Sequence, residues 1–140
     1  MARMKPKTIV ERAREYLDDE NHRELMNSFL TKFSEIEVYT RPYLEDYYRS
    51  IGEDIEPERI GLERETVLDA FSEAGIYFDD KKQITRIFGA SDKVNESSCR
   101  WLRNKITHSL MLRAIREVCE RSDQLIDDMD SLIEQIENQS

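Results

Sequence analysis

The chain has 140 residues, a formal net charge of −9, 36% charged residues and 39% apolar ones. That length suits a single domain spanning residues 1–140 with room for a sizeable core, and four glycines with three prolines are too few for a turn-rich β protein. With this acidic balance the whole molecule should repel nucleic acid at long range.

Residues 1–7 make a basic start. Thr8-Ile9-Val10-Glu11 fits a capping box, with Thr at the cap and Glu three positions later. Ile9, Val10, Ala13, Tyr16 and Leu17 then recur at helical spacing. Asp18-Asp19-Glu20-Asn21 interrupts the stripe. His22 follows at a predicted helix start. It reads as a surface or capping residue rather than a ligand, since no second histidine or cysteine is near it in sequence.

The next helix is expected from about His22 to Ser50, with Leu25, Met26, Phe29, Leu30, Phe33 and Ile36 on its buried face. Pro42 should kink or end it, because the ring clashes with the preceding turn. Tyr39, Tyr43, Tyr47 and Tyr48 surround that point. Such a cluster could stack bases, but an aromatic stripe at helical spacing is more often core with its hydroxyls reaching water. Gly52 to Gly61, with Pro57 and many acids, reads as a loop. A short helix from Leu62 to Ala74 would turn Val67, Leu68 and Phe71 inward and end on Gly75. Asp79 is placed to cap another, ending at Gly89. Ser91 or Asp92 is the expected cap of the following helix, whose apolar residues are Val94, Trp101, Leu102, Ile106 and Leu110.

Beyond it, Met111, Ile115, Val118, Ser122, Leu125, Met129, Leu132 and Ile136 alternate steps of four and three, and Leu112, Cys119, Ile126 and Ile133 widen the face. A seam this long is either the spine of a bundle or a coiled-coil contact, and a single domain favours the bundle. The chain therefore reads as an all-α antiparallel helical bundle of about four main helices, with short helices between Gly52 and Gly89. Cys99 and Cys119 form no CxxC pair. In a chain without a signal peptide they read as reduced thiols in a cytoplasm. No apolar run approaches the ~20 residues that span a membrane.

Chemistry concentrates in one stretch, Arg103-Asn104-Lys105-Ile106-Thr107-His108. Residues 93–116 carry six basic side chains against Glu96 alone, whereas residues 117–140 carry eight acids against Arg121. An imidazole changes charge near physiological pH and can serve as general acid or base. A guanidinium grips phosphate through a planar fork. Asn104 and His108 are four apart and share a helix face. Arg103 and His108 are five apart, about 140° around an ideal helix, and two copies meeting at a two-fold axis would bridge that angle by pooling side chains. Against this stands the plainer reading of Arg, Asn and His as solvated surface, with the nearby bases paired to acids of other helices.

An arginine, a polar residue and a histidine five positions after the arginine, late in a small helical chain, resemble the HEPN family. The resemblance rests on Arg103, Asn104 and His108 within Trp101–His108. It implies a helical bundle that dimerises and brings two motifs into one cleft. It also implies a metal-independent endoribonuclease of a toxin–antitoxin or antiviral defence system, or a non-catalytic module of the same family. In the first case His108 takes the proton of the RNA 2′-hydroxyl or protonates the leaving 5′-oxygen, and the second copy's His108 is a possible partner. Arg103 stabilises charge on the phosphoryl oxygens, Asn104 orients His108 or the phosphate, and Arg100 and Lys105 bind substrate. The ends are 2′,3′-cyclic phosphates, and neither metal nor cofactor is needed. In the second case the same helices bind an antitoxin or another protein of a defence complex, which the acidic body and the long seam suit.

Overall fold

Thr8 opens the first helix as expected, its Oγ1 accepting from the Glu11 amide at 3.1 Å. The computed structural model describes residues 8–56, 59–89 and 97–140. These form seven helices and no strand: α1 (Ile9–Leu17), α2 (Glu20–Ser50), α3 (Arg64–Glu73), α4 (Lys81–Phe88), α5 (Cys99–Ser109), α6 (Leu112–Glu120) and α7 (Ser122–Gln139). The all-helical bundle expected from the sequence is present, and none of the described helices is long and apolar enough to cross a membrane.

The 31-residue α2 is the element the others pack on, touching α1, α3, α5, α6 and α7. Asp19 caps it, its Oδ1 accepting from Asn21 N at 2.8 Å and His22 N at 3.3 Å. His22 closes the corner with α1. Its ring stacks on Tyr16 with centroids 3.9 Å apart, and Nδ1 lies 2.9 Å from the Tyr16 carbonyl. Pro42 does not end α2. Its ring sits on the exposed side, while Phe33, Ile36, Thr40 and Leu44 stay buried across that position. Packing of this face therefore outweighs the roughly 3 kcal/mol that a proline costs inside a helix.

Between α2 and α5 lie the two short helices. Val67 and Phe71 are buried on α3, and Leu68 is partly buried against the same core. Gly75, at φ +77°, ends this helix as the sequence predicts. Ile76 N reaches Phe71 O at 2.8 Å and Gly75 N reaches Ser72 O at 3.0 Å, the pair of bonds that a left-handed glycine allows. The cap of α4 is Asp80, one residue after the expected Asp79, and it accepts from Lys82 N at 2.9 Å.

Expectations for the next helix change more. Ser91, Asp92 and Val94 fall outside the described residues, and the cap of α5 is Ser98, whose Oγ accepts from Trp101 N at 3.1 Å. Within the helix, Cys99, Leu102 and Ile106 share one inward stripe. Trp101 is only partly buried. The long C-terminal seam packs inside the same chain, with Ile115, Val118, Leu125, Met129, Leu132 and Ile136 buried. It is broken at Arg121 into α6 and α7. Arg121 turns its side chain to the Ser97 carbonyl (2.9 Å) and to Glu117, which also accepts from Ser97 N at 2.9 Å. That network ties the start of α5 to the α6–α7 junction. Accordingly α5 rests on α6, α4 and α2.

Cys99 is fully buried, and burial pushes its thiol from 9.0 up to about 12. Burial also raises Cys119, which is only partly covered. Iodoacetamide at about pH 8, near the ordinary thiol range, should therefore leave Cys99 intact in native protein and label Cys119 slowly, with both modified after unfolding. Mass spectrometry reads the difference, and rapid native labelling of Cys99 would mean that the start of α5 is open. The sign for stability follows. Above about 9 the unfolded thiol loses a proton that the folded one keeps, so this group lowers stability as pH rises toward 12.

Candidate functional site

Three of the five residues singled out in the sequence meet in one place. Arg100, Arg103 and Asn104 line a cleft of about 230 Å³ together with Phe33, Glu37 and Arg41 of α2 and Arg59, Ile60, Gly61 and Leu62 of the following loop. Helical spacing brings them there, since residues 100, 103 and 104 occupy one side of α5. The buried stripe of Leu102 and Ile106 fixes which side of the helix faces in.

The cleft is cationic on an acidic protein. Among the described residues, four guanidinium groups line it and Glu37 is the one lining carboxylate. Glu37 holds two of them, with Oε2 at 3.0 Å from Arg41 Nη2 and Oε1 at 3.3 Å from Arg103 Nη2. Arg103 also donates from Nη1 to Asn104 Oδ1 at 3.2 Å, and its guanidinium lies 5.8 Å from the centre of the Phe33 ring. Arg41 Nη1 donates to the Ile60 carbonyl at 3.2 Å, and Arg100 Nη1 to the Phe88 carbonyl at 3.4 Å. Arg59 reaches Glu56 at 3.7 Å and is 80% exposed.

His108 is not among the residues lining the cleft. It stands exposed in the last turn of α5, one turn beyond Asn104. Lys105 also lies elsewhere, its Nζ 5.6 Å from the Trp101 ring centre, with the Arg113 guanidinium 5.4 Å from the same ring. Two residues past His108 the chain turns sharply. Leu110 adopts φ 45°, ψ 46°, the only non-glycine described in the left-handed region, and such a conformation is strained for a branched side chain.

Sequence reading misses Arg41, Arg59 and Glu37. A signal for two of them exists in retrospect. Glu37 and Arg41 are four apart on α2 beside the buried stripe of Phe33, Ile36 and Thr40, where a charged pair needs a partner from outside its helix. Arg59 sits in a loop and gives none. Among the described residues, no group of three or more His, Cys, Asp or Glu side chains is placed to hold a metal ion. Comparison with family models, curated proteins and solved structures gives no match.

Proposed function

We propose that the chain is a metal-independent endoribonuclease whose site is completed by a second copy, in the manner that the HEPN resemblance implies. The observation that carries this reading is the pairing of Arg103 with Asn104 in a cleft gathered from guanidinium groups, on a chain of net charge −9. His108 stands exposed beyond that cleft, and a second copy related by a two-fold axis would bring its own His108 to it. In the reaction, His108 accepts the 2′-hydroxyl proton. The 2′-oxygen bonds to the adjacent phosphorus, the bond from phosphorus to the 5′-oxygen breaks, and that oxygen leaves with a proton taken from water. Arg103 stabilises the charge that builds on the phosphoryl oxygens, and Asn104 orients Arg103. The biological setting that fits such an activity is a toxin–antitoxin or defence system.

A second reading has its own support. Glu37 already neutralises Arg103, which suits a module that binds protein without catalysis. The two separate in one assay. Purified protein incubated with single-stranded RNA and chelator should cut it, and His108→Ala should not, with circular dichroism unchanged. A strand carrying 2′-deoxyribose at the cut position should stay whole. Cutting of the deoxy strand, or a strict need for a divalent metal, would defeat the mechanism, and intact RNA throughout would leave the protein-binding module.

A further inference from the structure

We propose that the side of this cleft formed by α2 and the loop at residues 59–62 seats a phosphodiester of the RNA backbone next to the one that Arg103 faces for cutting, with Arg41 and Arg59 as its positioning residues. This rests on the ribonuclease reading for the neighbouring cut, but the binding it describes is measurable without any cleavage.

The argument begins with where the arginines come from. Arg41 is on α2, Arg59 on the loop, and Arg100 and Arg103 on α5. Guanidinium groups from three separate parts of the chain converge on one space. Like charges gathered this way repel; Glu37 offsets Arg41 and Arg103, and Glu56 lies 3.7 Å from Arg59. The arrangement favours an additional anion. Its geometry favours phosphate in particular, because planar forks meet two oxygens of one tetrahedral group.

The size of the space narrows the class. About 230 Å³ lies below the roughly 300–1,000 Å³ typical of pockets that enclose a whole small molecule. A backbone phosphate fits that space. The groups are also partly held in advance. Arg41 is tied to the Ile60 carbonyl and Arg100 to the Phe88 carbonyl. Arg103 lies near the Phe33 ring. Side chains already ordered lose less entropy when a ligand arrives. Glu37 then sets the affinity, because its bonds to Arg41 and Arg103 compete with phosphate for the same donors.

The test uses a fluorescent single-stranded oligoribonucleotide with 2′-O-methyl groups throughout, which cannot be cut by 2′-hydroxyl attack. Fluorescence anisotropy should give binding that weakens with salt. Arg41→Ala and Arg59→Ala should each weaken it about tenfold at low salt, the scale of one lost charge-assisted contact. Each should also flatten the slope of log affinity against log salt by about 0.7, as for one phosphate on a single strand. Arg59 is 80% exposed, so its variants keep the fold even if Arg41→Ala disturbs the loop at Ile60. Arg59→Lys should restore much of the slope, Glu37→Gln should tighten binding, and Arg49→Ala, outside the cleft and 75% exposed, should change nothing. On cleavable RNA, Arg59→Ala should raise KM far more than it lowers kcat. Inorganic phosphate that displaces the strand only at concentrations expected from ionic strength marks the backbone, rather than a free anion, as the ligand. Displacement at far lower concentrations overturns that assignment. Wild-type affinity and slope in Arg59→Ala, or no binding of the strand at all, overturns the proposal. A strand that binds and responds to these variants while natural RNA is never cut supports the phosphate seat and removes the nuclease reading instead.

Discussion

Replacing Arg86 by methionine should cost roughly 3 kcal/mol of stability, seen as a lower urea midpoint at unchanged slope. Arg86 joins α4 to α7 through a two-pronged contact, with Nε and Nη2 at 2.8 and 2.9 Å from the two carboxylate oxygens of Asp128. The two ends are unequal. The Asp128 side chain is 9% exposed and that of Arg86 is 29% exposed. Removing the arginine strands a carboxylate away from water, and that uncompensated charge is the main cost. Removing the carboxylate strands a guanidinium that still has Asp80 at 3.8 Å and more access to solvent. Asp128→Leu should therefore cost less than Arg86→Met, and the double variant should recover most of the loss. The reverse order of the single variants would show that the pair is not buried as described. The contact also bears on the cleft. Phe88, two residues after Arg86, gives its carbonyl to Arg100, and Ser98 at the cap of α5 donates to the Gly89 carbonyl. A loosened α4 should therefore release Arg100 as well.

What was legible in the sequence was local. Thr8 caps α1 and Gly75 ends α3 because the chemistry of each is complete within a few residues. The seam from Ile115 to Ile136 could be read as bundle core because its period matches a helix face that must be covered. The break at Arg121 could not, because the seam spacing runs through it unchanged. At that point the Arg121 side chain turns to the Ser97 carbonyl, 24 residues away in sequence. The sharp turn after α5 was hidden too. Leu110 occupies a position where glycine is the usual marker, and nothing in Ser109-Leu110-Met111 announces it. The expected caps Ser91 and Asp92 lie outside the described residues, and Ser98, the cap that α5 has, offers the same acceptor chemistry, so composition does not distinguish it. The cleft was half legible. Arg100, Arg103 and Asn104 share a helix side by spacing alone, whereas Arg41 and Arg59 reach them only through the packing of α2 and its following loop.

Mixing two inactive variants should restore cleavage. Arg103→Ala and His108→Ala should each be without activity alone, by a factor of about 10²–10⁴ for the loss of the imidazole. Combined, unfolded together and refolded, they should recover about a quarter of the wild-type rate. The two residues lie about 140° apart around α5, and Arg103 is held in the cleft by Glu37 and Asn104 while His108 points from the last turn toward solvent. If each site takes Arg103 from one copy and His108 from the other, a mixed dimer has one site with both residues lost and one with both intact. Random pairing makes about half of the dimers mixed, and each keeps one site of two. If instead Arg103 and His108 of the same copy act together, every site in the mixture lacks one of them and no activity returns. A mixture that stays inactive while a tagged pull-down shows that mixed dimers form would therefore reject the shared site. A quarter recovered, with the purified mixed dimer showing one active site for every two chains, would establish that Arg103 works on the substrate beside a histidine it never meets in its own fold.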